Sequence, residues 1–195
     1  AVLKNPHSPR VHNNLGKAFF ETGDLNTARV HLEKSVSIIP RYVQAQYNIG
    51  DTENFSGKAN FAEPHYNLAS VYLDLGRLDD AESEYKRALE LKLDYYSAEL
   101  GMGSVKNMKG QYDIAIGHFL KSITLMRQVT GETDYALARL NLGEVYGKTQ
   151  RFNQAIVEFK RAIKTEPTMI AAHFNLGTAY MLTGSNDKAE LSFRT

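Results

Sequence analysis

The side chains best able to bind a metal or move a proton are the six histidines, His7, His12, His31, His65, His118 and His173. A helical zinc site needs two ligands on one face, as an H-x-x-x-H run supplies, and none of these residues has that spacing. No cysteine is present, so thiol nucleophiles, thiolate zinc ligands and disulfides drop out together. "GEVYGKT" at 143–149 invites a phosphate-loop reading, but three residues separate its glycines where that loop needs four, and no strand precedes it. "GMGSVK" at 101–106 lacks the third glycine of a dinucleotide fingerprint, and "NFS" at 54–56 fits a glycosylation acceptor too short a pattern to carry weight. The expectation is a non-enzyme with no metal and no cofactor. What recurs instead is an amide. "HNNLGKAF" at 12, "HYNLASVY" at 65, "RLNLGEVY" at 139 and "HFNLGTAY" at 173 each place an asparagine before Leu-Gly or Leu-Ala. A carboxamide offers a donor and an acceptor, the complement of a peptide unit.

The elements that would position those amides follow from periodicity, which is tested before anything else. Taking the Leu-Gly pair as anchor, equivalents fall at Leu15-Gly16, Ile49-Gly50, Leu68-Ala69, Met102-Gly103, Leu142-Gly143 and Leu176-Gly177, with a recurrent spacing of 34. Three residues after the glycine stands an aromatic (Phe19, Tyr72, Tyr146, Tyr180), and seven after it another glycine (Gly23, Gly57, Gly76, Gly110, Gly184). Five further on comes Ala (Ala28, Ala81, Ala115, Ala155, Ala189), and four beyond that Leu32, Tyr85, Phe119, Phe159 or Phe193. Small residues let two antiparallel helices approach, and the large one fills the space beside them. The second glycine suits a left-handed residue ending the first helix, after which Asp24 or Asp79 is placed to cap the second.

This pattern resembles the tetratricopeptide repeat, a 34-residue helix-turn-helix unit. The resemblance covers essentially the whole chain and implies an all-α, right-handed superhelical solenoid of antiparallel helix pairs. Registered on it, 1–8 reads as the tail of a preceding repeat, followed by repeats at 9–42, 62–95, 96–129 and 136–169, an incomplete repeat at 43–61 and a truncated one at 170–195. The chain thus reads as a segment of a longer array. Departures are informative: Lys106 replaces the aromatic of the fourth repeat, Gln150 replaces the turn glycine of the fifth, and "TGETDY" at 130–135 is inserted between them as a longer connection or an extended helix. The second repeat is about one helix and its turn too short. Either that helix was deleted, or a stretch is missing near "GDTENFSGKAN", the reading favoured because a lone helix would leave its neighbours uncovered.

In this family the first helix of each pair lines the concave side, where positions 2, 5, 6, 9, 12 and 13 share a face. The resemblance therefore implies a peptide-binding groove of Asn14, Lys17, Tyr47, Asn48, Tyr66, Asn67, Ser70, Leu140, Asn141, Glu144, Phe174, Asn175 and Thr178. The asparagines are similar to the ladder in the repeat domain of O-linked N-acetylglucosamine transferases, whose catalytic part has no counterpart here. A plainer reading has each amide bonding only a neighbouring repeat or water. A carboxylate clamp of the kind that grips chaperone tails is disfavoured, since Arg10, Asn14 and Lys17 are its only fragment.

Charge narrows the partners. With 23 basic and 22 acidic side chains no global field draws the chain to nucleic acid or anionic lipid, and no apolar run reaches the roughly 18 residues that span a bilayer. The expected partner is a protein or extended peptide held by an interaction scaffold. Alternatives are a substrate-recruiting segment of a larger enzyme such as a glycosyltransferase, or a scaffold that self-associates through an exposed terminal helix. The compartment stays open: the cytoplasm is slightly favoured and the periplasm compatible with the composition.

Overall fold

The computed structural model describes residues 8–55, 62–132 and 134–193, with Val43, Tyr47, Gly50, Glu53, Asn54, Phe55 and Pro64 described by backbone alone. Among the described residues every regular element is an α-helix, in the all-α helix-pair class expected. The order is α1 (Pro9–Glu21), α2 (Leu25–Ile38), α3 (Val43–Phe55), α4 (Ala62–Asp74), α5 (Leu78–Leu91), α6 (Tyr96–Met108), α7 (Tyr112–Thr130), α8 (Ala136–Lys148), α9 (Phe152–Thr165), α10 (Ile170–Leu182) and α11 (Asn186–Phe193). No helix is long and apolar enough to cross a membrane among the described residues.

The helices group into two compact units, residues 1–93 and 94–195. In the first, α1 packs on α2 and α3, and α4 on α3 and α5; in the second, each helix from α6 to α11 packs on its neighbours in sequence, and α8 also meets α6 and α10. Short turns between packed neighbours make each pair an antiparallel hairpin.

The turn has one construction. After α1, Gly23 adopts φ +81°, its N–H reaching the Phe20 carbonyl and that of Asp24 the Phe19 carbonyl. This double bond caps the helix by satisfying carbonyls that have no partner within it. Gly76, Gly110 and Gly184 repeat it with φ of +70°, +73° and +76°. Gln150 repeats it too, at φ +59°, with the same pair of bonds to Gly147 and Tyr146. Asp24 then caps α2, accepting from Thr27 N at 3.2 Å. Asp79 does not play that part: Arg77 is the N-cap residue of α5 and Asp79 lies inside its first turn, where a negative charge still meets the helix's positive end.

The hairpins close on the glycine of the Leu-Gly pair. A Cβ added to Gly103 would stand 2.5 Å from Phe119 Cε1, and one on Gly143 2.5 Å from Phe159 Cε1. Gly16 faces Leu32 and Gly177 faces Phe193 in the same way. Absence of a side chain is thus what admits the large residue of the second helix. In α4 the equivalent is Ala69, and the facing residue is Tyr85, whose hydroxyl lies 3.1 Å from Ser70 Oγ. Burial, partly offset by that bond, raises the Tyr85 phenol to about 12.

Two irregularities have concrete forms. The insertion before α8 lengthens α7 to 19 residues, ending at Gly131 in the left-handed region. In the short repeat, α3 runs unbroken to Phe55 and contacts both α2 and α4, burying Ala45, Ile49 and Thr52. Residues 56–61 lie outside the described chain, as do Gly57, the tail at 1–7 and the last two residues.

Candidate peptide-binding face

The two units each present a first-helix face, taken separately. In the first unit, Asn14 and Lys17 of α1 are exposed, and Asn48 of α3 and Tyr66, Asn67 and Ser70 of α4 are half-buried. Tyr47 belongs to α3, but its side chain lies outside the described residues. In the second unit, Asn141 and Glu144 of α8 and Asn175 and Thr178 of α10 are half-buried, and Phe174 is exposed. Leu140 lies deeper than these. It is 8% exposed and packs in the core with Ala155 and Phe159, because its position on α8 leans toward the hairpin interior.

The asparagines are not equivalent. Asn48 Nδ2 donates to Asn13 Oδ1 at 2.9 Å, and its Oδ1 accepts from Gln44 at 3.1 Å. Asn13, buried to 4% exposure, passes its own Nδ2 to Asn14 at 3.4 Å. Asn175 Nδ2 donates to Glu144 Oε1 at 3.1 Å, from α10 to α8. These amides tie one first helix to the next, as the plainer reading has it. Asn67 and Asn141 differ: half-buried, they bond no side chain or backbone group among the described residues. The Ser70 hydroxyl is engaged, with the Tyr66 carbonyl 3.0 Å away besides Tyr85.

The histidines have a role that spacing in the sequence does reveal, at an interval of 19. Position 4 of the first helix meets position 23 of the second in four hairpins: His12 with His31 at 3.0 Å, His65 with Glu84 at 2.7 Å, Glu99 with His118 at 2.6 Å and Arg139 with Glu158 at 2.7 Å. Burial alone would raise the Glu99 carboxyl, but bonds from His118 and Lys121 outweigh it and hold it below the usual range. Burial likewise opposes the charge on Arg139, which bonds from Asp134 and Glu158 over-compensate, so its pKa is raised. His31 is lowered, first by burial and then by His12. Among the described residues no three His, Cys, Asp or Glu side chains converge as metal ligands would. These couples are cross-links between paired helices. A second cross-link joins Ser35 to the Pro9 carbonyl and Ser122 to the Tyr96 carbonyl, both at 2.7 Å and both 26 residues apart.

Comparison with known proteins agrees with this architecture. Sequence models of the tetratricopeptide repeat match residues 9–42, 62–95, 94–165 and 140–195, leaving only 1–8 and 43–61 unmatched. The chain is a tetratricopeptide repeat protein. Over 99 residues it is 28% identical to Protein KINESIN LIGHT CHAIN-RELATED 1 of Arabidopsis thaliana, a match that takes in 45% of this chain and 16% of that protein. Among solved structures it resembles the MamA protein, with a TM-score of 0.61 and 24% identity over 95% of this chain and 88% of that one. It also resembles YrrB, described as a tetratricopeptide repeat protein with an unusual peptide-binding site, with a TM-score of 0.54 and 16% identity over 98% of this chain and 86% of that one. At these identities the likeness is one of fold. Tetratricopeptide repeats are in general protein-interaction scaffolds.

Proposed function

We propose that the protein is an interaction scaffold that holds an extended peptide, or an extended segment of a partner protein, against its first helices. The observation that carries this reading is the state of Asn67 and Asn141, whose half-buried amides bond no described protein group while their counterparts Asn48 and Asn175 are engaged. A half-buried amide without a partner is costly unless water or a ligand satisfies it, and a peptide backbone supplies the missing donor and acceptor. Asn48 and Asn175 then act as struts that set the spacing between successive helices. Backbone recognition of this kind tolerates many side chains, so selectivity has to come from elsewhere on the face.

The test is binding of the full chain to an array of extended peptides, followed by fluorescence polarisation on the best of them. Asn67→Ala and Asn141→Ala each remove a neutral hydrogen-bonding pair of about 1 kcal/mol, roughly a fivefold loss of affinity. Unchanged affinity in both variants overturns the reading. Asn13→Ala is the structural control: it loosens α1 against α3 and lowers stability.

A further inference from the structure

Within the second unit, a cleft of about 270 Å³ opens between α8 and α10 above α9. Its floor is Phe152 and Phe159, and its walls include Ala179, Leu182 and the bare backbone of Gly147. A cavity of about 150 Å³ with an apolar lining accepts benzene, so this one has room for a large side chain. Gly147 makes that room. A Cβ built there, in the last turn of α8, meets nothing within 4 Å.

The mouth of the cleft has a charge. Glu144 lines it and receives Asn175 Nδ2, but no cation pairs with it among the described residues. Lys148, one turn further along α8, also lines the cleft, but its Nζ bonds Asn107 Oδ1 at 2.9 Å and makes no ion pair with Glu144. The rim therefore presents a carboxylate with no ion pair among the described residues, and a lysine engaged with Asn107, beside an apolar floor. A larger hollow, of about 400 Å³ beside Asp51 and His65, is of a different kind, walled by Glu84, Lys86, Arg87 and Glu90.

We propose that this cleft is the selectivity pocket of the peptide-binding face, taking one bulky apolar side chain, of Leu, Met or Phe size, from a peptide with an adjacent Lys or Arg that pairs with Glu144. The proposal rests on the reading of the face as a peptide site. Burying such a side chain supports a tenfold or greater gain in affinity. A cation beside Glu144 adds steering and sensitivity to salt.

The experiment uses the full chain and a nine-residue peptide array in which each position in turn is varied over all amino acids. The expected result is selection of a large apolar residue at one position with Lys or Arg next to it, and a tenfold or greater loss when the apolar residue becomes Ala. Gly147→Leu fills the cleft from open space and abolishes that selection while backbone-dependent binding persists; Glu144→Gln removes the preference for the basic neighbour and the salt dependence. Peptides that bind with no apolar selection, or selection that survives Gly147→Leu, overturn the cleft and leave the peptide face standing. No peptide binding at all overturns both. A second measurement needs no peptide: titration with N-acetylphenylalaninamide is expected to shift the NMR signals of Ala179 and Leu182 in the native chain and not in Gly147→Leu, and equal responses sink the proposal.

Discussion

Gln150 is the one non-glycine residue with positive φ among the described residues, and replacing it with glycine isolates a single term of stability. Its own N–H and that of Arg151 make the same two capping bonds as in the glycine turns, so the substitution changes no backbone hydrogen bond. Its side chain is exposed, so no core contact is lost. What changes is the steric cost of the left-handed region, about 1–2 kcal/mol for a residue bearing a Cβ. Against this, glycine loses more freedom on folding, by roughly 0.5–1 kcal/mol. The expected net gain is about 0.5–1 kcal/mol, or a rise in melting temperature of about 1–4 °C for a chain of this size. The converse, Gly110→Gln, begins from φ +73° with nothing near the added Cβ and is expected to lose the same amount. Urea denaturation of both variants, read as a change in midpoint at constant slope, measures the effect. If Gln150→Gly is neutral or destabilising while Gly110→Gln destabilises, the side chain of Gln150 makes a contribution that this reasoning has missed.

Three further outcomes follow from the packing. Gly103→Val directs a branched side chain into Phe119 and is expected to cost about 1–3 kcal/mol by overpacking, measured by thermal melting; an unchanged melt means α6 and α7 separate more easily than their contact implies. Glu99→Gln keeps the volume but weakens bonds to His118 and Lys121 around a carboxylate only 1% exposed, with an expected loss of about 1.5–3 kcal/mol by chemical denaturation. Acid should loosen the hairpins in sequence. With the pKa of His31 lowered by burial and by His12, the unfolded chain binds its proton more readily, so the stability of the α1–α2 hairpin falls as pH drops below about 6.5. Glu99, held below the ordinary carboxyl range, keeps its contribution until pH falls below about 4.5, so hydrogen exchange should rise in α1 and α2 before α6 and α7. Simultaneous loss of protection in the two hairpins refutes the assignment.

The helix pairing was legible because each packing position is filled by an extreme of size. Gly103 opposite Phe119 and Gly143 opposite Phe159 are volume complements that stand out without coordinates. The turns were legible for a related reason, since glycine marks a backbone state that other residues resist, and even Gln150 was visible as an exception. The face was harder. Leu140 looked outward by position alone, because one residue of a helix spans 100° and a repeat register does not resolve whether its side chain leans into the hairpin. The Asn48 and Asn175 partnerships were also hidden, for they depend on the offset between successive first helices, which sequence spacing does not state. The interval of 19 in the His and carboxylate couples was present in the sequence and went unread while each histidine was weighed against others of its kind alone.

Those couples bear on where function resides. The same interhelical place holds His with His, His with Glu, Glu with His and Arg with Glu, so the chemistry is interchangeable as long as the two members complement each other. A catalytic or metal-binding role would demand one chemistry at a fixed geometry, whereas a pairing role demands only mutual satisfaction of two buried groups. That the order of donor and acceptor reverses between the α4–α5 and α6–α7 hairpins fits the second demand and not the first. The ionisable groups of those four couples are thereby accounted for as structure. On the first-helix faces, the amides of Asn67 in the first unit and of Asn141 in the second have no described partner, and Glu144, which accepts from Asn175, has no ion pair among the described residues. Within the second unit, a face with the Asn141 amide and an apolar cleft beside Glu144 is suited to holding a backbone at one point and reading a side chain at another, so Asn141→Ala and Gly147→Leu probe separable parts of recognition by that unit.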